Sequence, residues 1–215
     1  MKVAAAILAG GRARRLGGAF KGGLEVGGRT ILARELAALA RVTDEILLVA
    51  DEAARKSEMG FAFSRESEAG FTFARESEIG FTFVADRAPG LGPLAGIDAA
   101  FAATRADALL VVGCDLPFLD ERLLALVRDA APGAEAVMPR VAGRPQALHA
   151  RYARSIVPAV ADRLRRGELR LLDLVAGVRA WFLDEPELRA IDPSLRGLTN
   201  VNTPDELEAA RALAR

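Results

Sequence analysis

Val3-Ala-Ala-Ala-Ile-Leu8 runs without a break into Ala9-Gly-Gly-Arg-Ala-Arg-Arg-Leu-Gly-Gly-Ala-Phe-Lys21. The first stretch is apolar at every position, the pattern of a short strand buried on both faces. From Leu8 to Lys21, fourteen residues hold four glycines, three arginines and a lysine. A strand that opens into such a loop lets backbone N–H groups approach an anion closely while basic side chains neutralise it. The reading is a phosphate cradle at the carboxyl end of a buried strand.

Working outward, further apolar runs at 45–50, 81–85, 108–113 and 135–139 read as strands of the same kind. Thr30 to Arg41, Pro93 to Thr104 and Leu119 to Ala130 carry apolar residues at helical spacing. This alternation predicts a single α/β domain over residues 1–215, a three-layer Rossmann-like fold with a mostly parallel sheet and helices on both faces. Right-handed crossovers then gather residues 10–21, Asp51 onward, 86–93 and 114–117 along one sheet edge. Later in the chain the expected elements are strands at 146–150 and 178–183 and helices at 155–166 and 203–215. Thr203-Pro-Asp-Glu206 supplies an N-cap, a first-position proline and a capping-box glutamate.

Bulk properties narrow the function classes. The chain has 215 residues with 29 basic and 29 acidic side chains, so it lacks the basic surplus of general nucleic-acid binders. Its single cysteine, Cys114, excludes an internal disulfide framework and fits a reducing compartment. No apolar run approaches the ~20 residues of a membrane span, and no leader-like segment precedes the first strand, so the expectation is a cytoplasmic protein. Lysine occurs at only three positions (2, 21 and 56) among the 29 basic residues, which makes its presence in the glycine loop notable.

Residues 55–84 read RKSEMGFAFS, RESEAGFTFA, RESEIGFTFV, three copies of a ten-residue unit. A strand–helix–strand unit needs one copy, with 52–58 as helix and one Gly-Phe-x-Phe as strand. About two copies therefore read as an insertion, expected to form a hairpin, a loop or a contact with another subunit's sheet edge.

The cradle is not a Walker loop, because Lys21 lies between Phe20 and Gly22, and G-x-G-x-x-G has no match between Gly10 and Gly18. With Leu24-Glu-Val-Gly-Gly28 it instead resembles the loop of nucleotidyltransferases that move a nucleoside monophosphate from a triphosphate to a phosphorylated acceptor. Within these it is most similar to the molybdenum cofactor guanylyltransferases. Asp86 followed by Gly92-Pro-Leu-Ala-Gly96, Cys114-Asp-Leu-Pro117 and Asn200-Val-Asn-Thr-Pro-Asp-Glu-Leu207 resemble further family motifs in the same order. The Leu-Ala-Gly-Gly form resembles guanylyl enzymes, whereas related cytidylyl enzymes tend to show Leu-Ala-Ala-Gly.

Chemistry assigns roles at these positions. Transfer at an α-phosphorus requires a triphosphate to be held and partly neutralised while pyrophosphate leaves, a task suited to the amides of Gly10 and Gly11 with Arg15 and Lys21. The resemblance implies that Leu8, Ala9 and Gly10 contact GTP and that Lys21 grips phosphate. Asp115 ends a buried strand, where a carboxylate needs a partner. Mg2+ is one, and a helix N-cap role is the other. The resemblance makes Asp115 the magnesium ligand.

Asp86 matches a guanine-reading carboxylate, with an Asx turn as the alternative. Gly92 and Gly96 open a helix beside the nucleotide, and Asn200 and Asn202 suit a polar pterin-type acceptor, here molybdenum-bound molybdopterin. His149 reads as a sheet residue rather than a general base. The implied partners are GTP, molybdopterin and proteins of the cofactor pathway or its apoenzymes, with the chain a monomer or weak homo-oligomer and neither nucleic acid nor membrane involved.

Three departures bear on the pocket: Phe20 stands where many relatives carry aspartate, Val49 stands where a base-contacting asparagine would follow the second strand, with Asp51 two residues on, and the repeat insertion ends two residues before Asp86. A CTP- or sugar-phosphate-directed transferase of the same fold, or a catalytically silent nucleotide-binding protein, stays open.

Overall fold

The computed structural model describes residues 1–10, 20–51, 63–67, 70–73, 77–86, 88 and 90–214. Gly11, Arg15 and the expected helix at 52–58 lie outside them.

The first strand, β1 (Val3–Leu8), is followed by a short hairpin of β2 (Glu25–Val26) and β3 (Arg29–Thr30). Gly27 and Gly28 turn that hairpin at φ of 59° and 73°, a left-handed pair that suits a two-residue turn. Helix α1 (Ile31–Leu39) starts where Thr30 Oγ1 accepts from the Ala33 amide, and β4 (Ile46–Ala50) follows. Next come β5 (Phe63–Ser67), β6 (Gly70–Phe73) and β7 (Ser77–Ala85), then α2 (Pro93–Ala103), β8 (Ala108–Gly113) and α3 (Glu121–Asp129). The chain continues through β9 (Ala136–Val141), β10 (Arg144–Pro145), β11 (His149–Ala153), α4 (Val157–Arg166) and α5 (Leu171–Ala176). It ends with β12 (Ala180–Asp184), α6 (Glu185–Arg189) and α7 (Pro204–Leu213).

Among the described residues, ten strands form one sheet in the order β10-β9-β11-β8-β1-β4-β7-β6-β5, with β12 on β9. The centre, β8-β1-β4-β7, is parallel, as is β12 beside β9. The flanks are antiparallel: β11 runs against β8 and β9, and the repeat region folds back as β5-β6-β7. The described residues of the repeat region extend the sheet beyond β7.

Alternation along the central strands splits the core into two layers. Ala5, Ile7, Leu48, Leu110 and Val112 pack on one face beneath α1 and α3, joined by Phe81 and Phe83 of β7. Ala4, Ala6, Leu47, Val49, Leu109 and Val111 pack on the other beneath α2, α4 and α5. Strands apolar at every position need cover on both faces, and here they have it.

Two late strands are displaced from their expected positions. The one expected at 146–150 lies at His149–Ala153, because Gln146 accepts the His149 amide in a turn that delays pairing. The one expected at 178–183 lies at Ala180–Asp184. Val49 sits inside β4 and is buried under α2, so it is a core residue; Asp51 is the first residue beyond the strand.

Candidate functional site

The carboxyl ends of β1, β4, β7 and β8 converge on one edge. The Leu8 carbonyl accepts the Cys114 amide at 3.3 Å, the Val49 carbonyl accepts the Ala9 amide at 2.8 Å, and the Ala50 carbonyl accepts the Asp86 amide at 2.8 Å. Leu8, Ala9 and Gly10 therefore stand between Asp86 on one side and Asp115 on the other.

Lys21 closes this edge from above. Its Nζ lies 3.0 Å from Asp115 Oδ2 and donates to Asn202 Oδ1 at 2.6 Å. A turn of 3-10 helix, Lys21–Gly23, carries the lysine, and its middle residue cannot bear a side chain. A Cβ on Gly22 would come within 2.6 Å of both Cys114 Sγ and Phe20 Cζ. Phe20 thus packs against the turn.

Asp115 does not cap the following helix. Asp120 does, accepting the Arg122 amide at 2.8 Å, so the N-cap alternative for Asp115 falls away and its carboxylate is committed to Lys21. Asp86 makes the Asx turn that the sequence offered. Oδ1 accepts the Ala88 amide at 3.0 Å in an Asx turn, while a Cβ on Gly10 would stand 3.8 Å from Oδ2, so the second oxygen looks onto the loop. Gly92 takes φ 76° at the N-cap of α2 with Pro93 in the first turn, and Gly96 packs where an added Cβ would stand 3.1 Å from Leu8 Cδ2. Asn200 is exposed, and the Val201 amide donates to the Asp115 carbonyl at 2.9 Å, so the 200–202 segment lies against the Asp115 turn.

One member of the site was not foreseen. Glu35, in the apolar stripe of α1 with Ile31, Leu32, Leu36 and Leu39, is fully buried, and its Oε1 accepts the Leu116 amide at 3.0 Å. Burial pushes its pKa well above the ordinary carboxylate range; the Leu116 hydrogen bond opposes this and the nearby Asp115 charge adds to it. An acidic residue at a core position of an amphipathic helix is the signal that would have found it. Burial likewise pushes the Cys114 thiol up, which leaves it a small inert hydrophobe rather than a nucleophile.

Among the described residues, no three His, Cys, Asp or Glu side chains come together as a metal cage. A hollow of about 510 Å3 lined by Lys2, Glu45, Arg128 and Arg151 lies near the start of β1 and holds none of the expected site residues.

The geometry matches known proteins over nearly the whole chain. Residues 5–182 match the family described as MobA-like NTP transferase domain. The chain belongs to the MobA-like NTP transferase family. It is 33% identical to a probable molybdenum cofactor guanylyltransferase of Methanosarcina mazei, over 95% of this chain and 88% of that protein. It is 30% identical to one of Pelotomaculum thermopropionicum, over 97% and 91%. Among solved structures, molybdopterin-guanine dinucleotide biosynthesis protein A of Archaeoglobus fulgidus superposes with a TM-score of 0.76 at 23% identity, over 99% and 98% of the two chains. A 2-C-methyl-D-erythritol 4-phosphate cytidylyltransferase of Thermus thermophilus does so with 0.68 at 20%, covering both chains fully. These superpositions establish the shared fold.

Proposed function

We propose that this chain is a guanylyltransferase: it moves GMP from GTP to the terminal phosphate of molybdenum-bound molybdopterin and releases pyrophosphate. The observation that carries the reading is the meeting of Lys21, Asp115 and Asn202 at the carboxyl edge of β1 and β8, in a chain related end to end to proteins named for that activity.

An acceptor phosphate oxygen forms a bond to the α-phosphorus of GTP, the bridging bond to the β-phosphate breaks, and pyrophosphate departs with the electron pair. The acceptor is already anionic at neutral pH, so the work is positioning and charge neutralisation. Lys21 turns its ammonium to the phosphates, with the Gly10 amide beside it and Gly11 and Arg15 in the same loop. Leu8 and Ala9 flank the nucleotide, Gly92 and Gly96 keep the start of α2 open to it, and Asp86 Oδ2 accepts from the guanine N1 and N2 hydrogens. Asn200 and Asn202 hold the pterin side.

A single carboxylate at a strand end fits Mg2+, which takes one or two protein carboxylates and completes its shell with water and substrate phosphates. A magnesium ion on Asp115 would supply charge neutralisation at the phosphate oxygens. Asp115 otherwise holds Lys21 in place until the triphosphate arrives. We place the enzyme in the cytoplasm, as a monomer or weak homo-oligomer; among the described residues, no helix is long and apolar enough to cross a membrane.

The test is pyrophosphate release in Mg2+ with each nucleoside triphosphate, with and without molybdopterin. Release with GTP that depends on molybdopterin and is lost in Lys21→Ala and Asp115→Asn is the expected result. Turnover of CTP in place of GTP overturns the base assignment, and no release with any triphosphate overturns the enzyme.

A further inference from the structure

We propose that Glu35 is a positioning residue: its carboxyl, buried in α1, holds the Leu116 amide and so sets the turn that carries Asp115. The proposal rests on the functional reading above for its kinetic readout alone.

Strand β8 ends at Gly113, so the turn beyond it has no ladder to hold its shape. Three hydrogen bonds from three separate elements fix it instead. Leu8 at the end of β1 accepts the Cys114 amide at 3.3 Å, and the Val201 amide before α7 donates to the Asp115 carbonyl at 2.9 Å. Glu35 in α1 accepts the Leu116 amide at 3.0 Å. The first two bonds are backbone to backbone and indifferent to side-chain identity. The third is the one that sequence chooses.

That choice works against α1. The helix face around Glu35 packs into the core with Leu32, Leu36 and Leu39, where a leucine would bury apolar surface at no polar cost. A carboxyl there gives up hydration, and its Oε2 has no hydrogen-bond partner among the described residues. What the carboxyl gains is the amide of the residue immediately after Asp115, with the Cys114 thiol of the same turn beside it. Burial pushes the group towards its uncharged form, and the Asp115 charge acts in the same direction. Glu35 touches neither substrate nor the reacting atoms; it acts through the backbone of residues 114–116.

The experiment compares Glu35→Leu, Glu35→Gln and Leu39→Ala, the last being a packing control on the same helix face. Three quantities are read: thermal unfolding, hydrogen exchange of the Leu116 amide by NMR, and kcat and KM for GTP. Glu35→Leu is expected to fold, to speed exchange at Leu116 about tenfold or more, and to lower kcat by about tenfold with little change in KM, since a misplaced Asp115 is felt in the transition state. Glu35→Gln keeps an oxygen for the Leu116 amide and is expected to stay within about threefold of the parent in exchange and kcat.

Leu39→Ala should lose stability but keep kcat at temperatures where it is folded. Unchanged Leu116 exchange in Glu35→Leu, equal damage in Glu35→Gln, or an equal kcat loss in Leu39→Ala overturns the proposal. If the parent protein turns over no triphosphate, the functional reading fails, while the exchange comparison still decides the role of Glu35.

Discussion

Lys21 Nζ and Asn202 Oδ1, 181 residues apart in the chain, lie 2.6 Å from each other. The bond ties the phosphate loop at the start of the chain to the segment before its last helix. On the proposed reading, Asn202 steadies the cation that would grip the triphosphate, in addition to facing the acceptor. Asn202→Ala should raise KM for GTP several-fold as well as KM for the acceptor. A steady-state matrix in both substrates checks this, and an unchanged GTP KM would confine Asn202 to the acceptor.

Glu206 holds that asparagine in place. Its Oε2 accepts the Asn202 amide at 2.6 Å and the Thr203 amide at 3.0 Å, while Thr203 Oγ1 accepts the Glu206 amide at 3.2 Å. Glu206→Ala should cost about 1 kcal/mol of stability through the lost capping box. It should also weaken protection by GTP in a thermal shift assay, because Asn202 is no longer anchored. Thr203→Ala should match it in stability while keeping more of the GTP protection.

Gly22 is boxed in by Cys114 and Phe20. Gly22→Ala should destabilise by roughly 1–3 kcal/mol, the usual range for overpacking, and displace the neighbouring Lys21. Adding Cys114→Ala removes one of the two obstructions and should recover part of the loss. A double-mutant cycle in chemical denaturation measures the coupling, and strict additivity would show that the thiol gives way freely.

His149 is 2% exposed on β11, and neither imidazole nitrogen has a hydrogen-bond partner among the described residues. Burial lowers its pKa from 6.5 to about 4, with the Asp120 charge opposing weakly. Between those pH values the unfolded chain binds the proton and the folded chain does not, so stability falls as pH falls from 6.5 towards 4. The loss over that window is roughly 3 kcal/mol at most, and His149→Leu should flatten it. Urea unfolding at pH 7, 5.5 and 4.5 tests both.

Much of this arrangement was legible in the residues. The runs at Val3–Leu8 and Ala108–Gly113 announced strands covered on both faces, and Thr203-Pro-Asp-Glu206 announced a capped helix. Lys21 and Asp115 stood out because one of only three lysines in an arginine-rich chain lies in the glycine loop and because a carboxylate at a buried strand end calls for a partner. They proved to be each other's. Glu35 was hidden because helical periodicity treats a single polar residue in an apolar stripe as noise, and its partner lies 81 positions away. Val49 falls inside the predicted 45–50 strand, and the structure buries it there in the core. The reversal of β11 depends on tertiary pairing with both β8 and β9, which no local pattern encodes.

Strand β7 binds β4 through the third of three similar decapeptides, and Asp86 follows its last residue directly. The slot beside β4 is therefore a lock for which the chain carries three similar keys. Pairing chemistry barely separates them. A slip by one unit would leave the sheet looking almost unchanged while feeding about 33 Å of extra extended chain between the strand and Asp86. Selection of the third copy then falls to the short connection into α2, and a chain folded in the wrong frame would set Asp86 away from the edge where Leu8 meets Cys114.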